Sequence, residues 1–127
     1  MMKYLSFSVA FFWLFLSSFQ VGDIRSNISR ALKNGDSKSI SSNFSSSINL
    51  VINREENMTS KFQAELILQD FFNQNKISDV KVISGNTQNS SNKYLIYEVQ
   101  TAKKSRRILI KLIEIKGSSY ISEFRIE

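Results

Sequence analysis

The chain has 127 residues, which suits one ordinary domain, and it contains no Cys, no His and no Pro. These absences exclude disulfides, zinc sites built from Cys and His, Cys or Ser nucleophiles with a His base, and polyproline ligand segments. Lys and Arg number 17 against 11 Asp and Glu, which gives a modest net charge of +6. Most common catalytic chemistry is therefore unavailable to this sequence.

The first 22 residues have the pattern of a signal peptide. Met1 to Lys3 is a short positive start, Tyr4 to Leu16 is an almost unbroken apolar run, and small residues follow it up to Gly22. The apolar run is shorter than the roughly 20 residues that a membrane-spanning helix needs. We therefore predict a cleaved leader over residues 1–22 and one exported domain over residues 23–127, periplasmic or extracellular. The bias towards Asn, Lys, Ile and Ser indicates a bacterial origin.

Two helical segments are predicted at the start of the exported domain. The apolar residues of the first follow helical spacing: Ile24, Ile28, Ala31 and Leu32. Asp23 can cap this helix and Gly35 can end it. Asp36 can cap a second short turn that runs through Ser42. Two apolar residues of this second region are expected in the core: Ile40 and Phe44.

Alternating apolar residues predict a strand over Ser46 to Asn53, and the polar residues Arg54 to Asn57 are expected to form a loop after it. Ser60 then caps the longest predicted helix, Lys61 to about Asn75. Five apolar residues gather on one side of this helix: Ala64, Ile67, Leu68, Phe71 and Phe72. Two more lie on roughly the opposite side: Phe62 and Leu66. We expect the first helix to cover this second pair, with exposure to a partner as the alternative.

The rest of the chain is predicted to be four strands: Val80 to Gln88, Tyr94 to Thr101, Arg107 to Ile115 and Tyr120 to Ile126. The linkers between them, including Asn89 to Asn92, are short and therefore favour antiparallel hairpins. The third of these strands has apolar residues on both faces, which indicates a central strand. In the last strand, strict alternation places Phe124 on one face together with Tyr120 and places Ile121 on the other.

One cluster of basic residues lies between two predicted strands: Lys103, Lys104, Arg106 and Arg107. Such a patch can bind phosphates, lipid headgroups or acidic polysaccharide. The alternative interpretation is a charged hairpin turn whose Lys and Arg side chains discourage edge-to-edge strand pairing. No aromatic residue interrupts the cluster, and the domain is expected to be exported, so nucleic acid is not an expected partner.

Two helices, a strand, a long helix and a run of antiparallel strands predict an α+β fold with the helices on one face of a strongly curved sheet. The segments DIRSNISRALKNGD at Asp23, SKFQAELILQDFF at Ser60 and GSSYISEFRIE at Gly117 resemble the small exported bacterial family called domain of unknown function 4783. The resemblance implies a nuclear-transport-factor-2-like, cystatin-like cone, in which the sheet wraps a long helix, and it implies no assigned activity.

The leading functional hypothesis is a non-catalytic exported module that binds a small apolar ligand in the cone or a partner chain, including a second copy through the sheet face. The second hypothesis is attachment of the basic cluster to an anionic envelope polymer or membrane surface. A pocket enzyme is the remote alternative, since a buried carboxylate base can work with a Tyr donor. Its candidate residues are Tyr94, Tyr97 or Tyr120 with Glu98 or Glu114. No cofactor and no metal are expected.

Overall fold

A computed structural model describes residues 24–86 and 93–127, with the side chains of residues 84–86 left out. The predicted leader, the cap Asp23 and the turn at residues 89–92 lie outside the described residues. The elements, in chain order, are α1 (Ile24–Asn34), α2 (Ser37–Ser41), β1 (Phe44–Ile52), β2 (Glu55–Ser60), α3 (Lys61–Gln74), β3 (Ile77–Asn86), β4 (Lys93–Thr101), β5 (Ser105–Ile115) and β6 (Ser118–Ile126). In the described part, no helix is both long enough and apolar enough to cross a membrane.

The six strands form one curved, open sheet in the order β2-β1-β6-β5-β4-β3. The predicted α+β fold is confirmed, and so are the antiparallel hairpins that join β3 through β6. One pair in the sheet is parallel, because β1 lies alongside β6 in the same direction. A parallel pair needs a long crossover, and here the crossover is everything between β1 and β6.

The three helices cover one face of the sheet, which we call the inner face, and leave the other, the outer face, without a helix. The inner face is apolar and fully buried along the central strands: Leu95, Tyr97, Val99, Ile108, Ile110, Leu112, Phe124 and Ile126. α3 contributes Leu68 and Phe72 to the same core, and α1 contributes Ile28 and Leu32. Burial of these side chains is the main source of stability, because each contributes about 1.5–3 kcal/mol relative to exposure.

The helix ends follow the predicted signals. Gly35 ends α1 with a φ of 61°, and the Asp36 backbone N–H donates to the Ala31 carbonyl at 2.8 Å. The Asp36 carboxylate caps α2 by accepting from the backbone N–H of Ser39 at 3.1 Å and from its hydroxyl at 2.6 Å. These hydrogen bonds to the charged form lower the pKa of Asp36. The Ser60 hydroxyl oxygen caps α3 by accepting from the backbone N–H of Gln63 at 3.2 Å.

The predicted loop at Arg54 to Asn57 is wrong beyond Arg54, because Glu55 to Asn57 belong to the edge strand β2. Ile52 pairs with Glu55 across a two-residue turn, in which Asn53 has a φ of 53° and Arg54 a φ of 71°. Two consecutive positive φ angles are what a type I′ hairpin turn requires. The usual sequence signal for this turn is Asn-Gly, but here Arg54 follows Asn53. Nearly all residues of β2 are exposed, so the strand has no apolar alternation. Both signals that would have predicted the hairpin are therefore missing.

The predicted faces of the last strand are wrong at its start. Lys111 pairs with Glu123 whereas Leu112 pairs with Ile121, so Ser122 is an extra residue in β6. This β-bulge shifts the alternation by one position and turns Ile121 onto the inner face, where it is fully buried. Tyr120 correspondingly lies on the outer face, opposite Ile113.

The expected cover for the second apolar side of α3 is also absent from the described residues. Phe62 is 67% exposed and Leu66 is 55% exposed. α1 does not reach them because its apolar stripe packs towards β3, and α2 is the short helix that contacts α3. Ile67, expected in the core, lies at the edge of the buried stripe and is 38% exposed.

We predict that Arg54→Gly raises the free energy of unfolding by about 0.5–1 kcal/mol, because glycine adopts a positive φ without the steric cost that Arg bears there. Urea denaturation measures this change. Val51→Gly in the adjacent strand is the control and should destabilise, since its backbone is extended and its side chain is buried. An unchanged or lower stability of Arg54→Gly would contradict the turn assignment.

Candidate functional site

The basic cluster lies at a tight turn between β4 and β5. The Thr101 hydroxyl donates to the Lys104 carbonyl at 2.8 Å, and the Lys104 backbone N–H is 3.2 Å from the same hydroxyl oxygen. The side chains of Lys103 and Lys104 are exposed. This part of the cluster matches the charged hairpin turn that the sequence allowed.

Arg106 points away from the other basic residues because strand alternation directs it to the inner face. Its guanidinium carbon lies 5.3 Å from the centre of the Phe71 ring on α3, a cation–π distance. Its Nη1 donates to the Asn53 side-chain oxygen at 2.7 Å, and its Nε is enclosed without a hydrogen-bond partner among the described residues. Arg107 lies on the outer face, opposite Glu98. The four residues therefore do not share one surface.

The structure does not bring a candidate Tyr and Glu together inside the fold. Tyr97 is fully buried, and its hydroxyl donates to the Arg25 carbonyl at 3.0 Å, which fixes the first turn of α1 to the sheet. Tyr94, Tyr120 and Glu98 lie on the outer face, as their partners in the strand register show. Glu114 has a side chain that is 59% exposed and forms an ion pair with Lys93 at 3.8 Å.

The space wrapped by the sheet is filled by side chains, and the described interior contains no ionisable carboxylate. The buried polar residues of the described part are Ser37, Ser41 and Thr101. The same part of the chain holds no group of Asp and Glu arranged to bind a metal ion. Concave surfaces are found at the periphery instead. One is a cleft of about 290 Å³ between α3 and the β1–β2 hairpin, lined by residues that include Leu50, Asn57 and Phe71.

A second concave surface, of about 570 Å³, lies between α1 and β3, and we call it the α1–β3 groove. Its α1 side consists of three basic residues and two serines: Arg25, Ser26, Ser29, Arg30 and Lys33. Its β3 side consists of Val80 and Val82. The prediction of α1 rested only on its apolar stripe. The signal it left aside was the helical spacing of the polar residues, which form a second stripe beside the buried one.

The outer face of the sheet carries apolar residues on its central strands. Two cross-strand pairs are apolar: Ile96 with Leu109 and Ile113 with Tyr120. All four are half-buried, and no helix of the described residues covers them. Charged residues of both signs lie among them, since Lys111 pairs with Glu123 and Leu109 pairs with Arg125. Glu123 accepts hydrogen bonds from Asn49 at 3.0 Å and from Arg125 at 3.5 Å.

Comparison with known proteins gives a family and a fold. A family described as Domain of unknown function (DUF4783) matches residues 25–127. A DUF4783 family protein from Bacteroides fragilis is 25% identical, with a TM-score of 0.74 over 79% of this chain and 93% of that one. A DUF4783 family protein from Bacteroides uniformis is 19% identical, with a TM-score of 0.77 over 83% and 96%.

The wider fold is that of cystatin-like and nuclear-transport-factor-2-like proteins. A domain of unknown function with a cystatin-like fold from Nostoc punctiforme is 11% identical, with a TM-score of 0.62 over 80% of this chain and 70% of that one. A protein named Rd1NTF2_05 has a TM-score of 0.64 at 12% identity, covering 82% of this chain and 93% of its own. No curated protein matches the chain. The similarity to these two proteins shows the fold alone.

We predict that Arg106→Ala lowers the free energy of unfolding by about 1–2 kcal/mol, because it removes the contact with Phe71 and packing of the aliphatic stem. Arg107→Ala is the matched control and should change it by less than about 0.5 kcal/mol, since Arg107 is exposed. Urea denaturation of both variants measures the difference. Equal effects would show that the two arginines are not divided between the faces of the sheet.

Proposed function

The chain belongs to the DUF4783 family, and from the fold of that family we propose that it is a non-catalytic interaction module. Its partner in this proposal is a second copy of the chain, bound through the outer face of the sheet. The observation that carries the proposal is the set of apolar residues on the outer face of β5, which no helix of the described residues covers. A sheet with apolar groups on both faces is usually packed on both.

The apolar pairs on the outer face support a packed contact rather than a solvated surface. Leu109 and Ile113 project from the strand that lies near the centre of the outer face, and Ile96 and Tyr120 flank them. Their partial burial leaves apolar area in water that a second sheet would cover at about 25 cal/mol per Å².

The charges on the same face favour a second copy over a partner of a single charge. Lys111 and Arg125 alternate with Glu123 across neighbouring strands. In a two-fold contact every residue meets the same patch of the other copy, so a patch that carries both signs can be complementary to itself. A strongly acidic or strongly basic partner would meet repulsion from one sign or the other.

A non-catalytic role is supported by the positions and hydrogen bonds of the candidate Tyr and Glu side chains. The Tyr97 hydroxyl is engaged with the Arg25 carbonyl, and Glu98 lies on the opposite face of the sheet. General acid–base catalysis needs its two groups within hydrogen-bond reach of one substrate position. Attachment through the basic cluster is the less favoured alternative, because Arg106 points inward and Arg107 points to the outer face.

We also propose that the protein acts outside the cytoplasm after its leader is removed. The support is the sequence pattern alone: a positive start, the apolar run from Tyr4 to Leu16, and small residues up to Gly22. Because the sequence has no Cys, the stability of the exported domain must come from packing and not from disulfides.

We predict that the domain over residues 23–127 is a dimer at concentrations of about 50 μM and that Leu109→Lys raises the dimer dissociation constant by about 100-fold or more. The substitution acts twice in a two-fold contact and buries an unpaired charge. Sedimentation velocity measures the change. Leu66→Lys is the control, because it introduces the same charge in place of the same residue type on α3, away from the outer face. A wild-type domain that stays monomeric throughout would rule out the dimer.

We predict that the full chain, expressed in a bacterial host, is recovered outside the cytoplasm with its new N-terminus within residues 17–23. Mass spectrometry of the fractionated protein measures this. Phe12→Arg should block processing because it interrupts the apolar run, whereas Lys38→Arg in α2 should leave it unchanged. Cytoplasmic wild-type protein that keeps Met1 would contradict the export proposal.

A further inference from the structure

We propose that the α1–β3 groove binds a free organic anion that carries an apolar chain, such as an alkyl phosphate or an alkyl carboxylate. The groove is on the inner-face side of the sheet edge, whereas the dimer contact proposed above is on the outer face. The two sites are therefore separate, and either can fail without the other. Four properties of the groove support this assignment: its charge, its apolar wall, its size and its preorganisation.

The charge of the groove has a single sign. Its lining contains Arg25, Arg30 and Lys33 and no acidic residue. Within the described residues, neither Arg30 nor Lys33 has an ion-pair partner. Their spacing of three residues places both on one side of α1, about 4.5 Å apart along the helix axis. Two adjacent cations without partners favour a phosphate or a carboxylate.

Apolar and hydroxyl groups complete the lining. Val82 is 50% exposed and Val80 is half-buried, and both face α1 from the inner side of β3. Ser26 and Ser29 add hydroxyl donors on the helix side. A basic helix opposite an apolar strand provides separate places for the charged and the apolar ends of one ligand. Inorganic phosphate alone would leave the valine wall exposed.

The walls of the groove are held in place by the core, so little ordering is needed when a ligand binds. Ile28 and Leu32 anchor the buried side of α1. The hydrogen bond from Tyr97 to the Arg25 carbonyl anchors its first turn to β4, whose residues Tyr97 and Val99 pair with Val82 and Val80. A preformed site of about 570 Å³ falls in the usual range for small organic ligands.

The basic cluster at the β4–β5 turn provides a natural comparison. Lys103 and Lys104 are exposed cations, as Arg30 and Lys33 are, but no pocket described here is lined by them. Replacing both cations of either pair with glutamate changes the net charge of the protein by the same amount. Any difference between the two reversals therefore reports the local arrangement rather than the overall charge.

The experiment is isothermal titration of the domain over residues 23–127 with dodecyl phosphate, below the concentration at which it forms micelles. Inorganic phosphate tests the charge alone, and dodecyltrimethylammonium tests the chain with the opposite charge. We expect saturable binding of dodecyl phosphate and at least tenfold weaker binding of the other two. Equal binding of both dodecyl compounds, or no saturable binding of dodecyl phosphate, would overturn the proposal.

The variants locate the site. Arg30→Glu with Lys33→Glu should weaken binding of dodecyl phosphate at least tenfold, and Lys103→Glu with Lys104→Glu should change it less than twofold. Val82→Ser should weaken binding of dodecyl phosphate several-fold by removing part of the apolar wall. Equal losses in the two charge reversals would mean nonspecific attraction and would overturn the proposal. Thermal melting shows whether each variant is folded, and Arg30→Gln with Lys33→Gln replaces the reversal if it is not.

An anionic membrane surface is the alternative to a free ligand, because its lipids also combine an anionic group with an apolar chain. Sedimentation with phosphatidylglycerol vesicles separates it from a free ligand. If the protein sediments with the vesicles through Arg30 and Lys33 but does not bind dodecyl phosphate in solution, the free-ligand proposal is wrong. If sedimentation velocity shows that the domain is a monomer, the dimer proposal is wrong, but the expected binding of dodecyl phosphate stays the same.

Discussion

The helices cover only one face of the six-stranded sheet, and this asymmetry decides what each strand residue can do. Along each strand, alternate side chains point into the packed core or out from the outer face. Tyr97 is committed to the core because it lies on the covered face, and its hydroxyl becomes an anchor for α1. Glu98, the next residue, points the other way and lies opposite Arg107. Strand alternation therefore places Tyr97 and Glu98, which the sequence offered as a possible catalytic pair, on opposite faces of the sheet.

Much of the fold could be predicted from the sequence because its strongest signals are local. Helix caps at Asp36 and Ser60, the glycine that ends α1, and the alternation in β5 all depend on residues close together in the chain. The parts that could not be predicted depend on distant neighbours or unusual backbone. β2 is held by pairing with β1 and carries almost no apolar pattern of its own. The bulge at Ser122 is a property of two strands together.

The candidate site was harder to predict than the fold, because basic residues that are adjacent in the sequence need not lie on the same surface of the folded protein. Arg106 and Arg107 are neighbours in the chain, yet one stacks on Phe71 and the other lies on the opposite face. Strand geometry separates adjacent residues, whereas helix geometry gathers residues three or four apart. Arg30 and Lys33 come together for that reason, although in the sequence they attract less attention than the cluster at the turn.

The place of β6 in the sheet has a consequence for how the chain acquires its fold. β6 follows the other five strands in the chain and lies between β1 and β5, so it joins the β1–β2 hairpin to the meander of β3, β4 and β5. Until it emerges, the sheet of a nascent polypeptide is in two parts that no strand joins. Completion of this sheet is thus a late, long-range event that awaits synthesis of β6, and a chain that stops before Ser118 lacks the strand that joins the two parts.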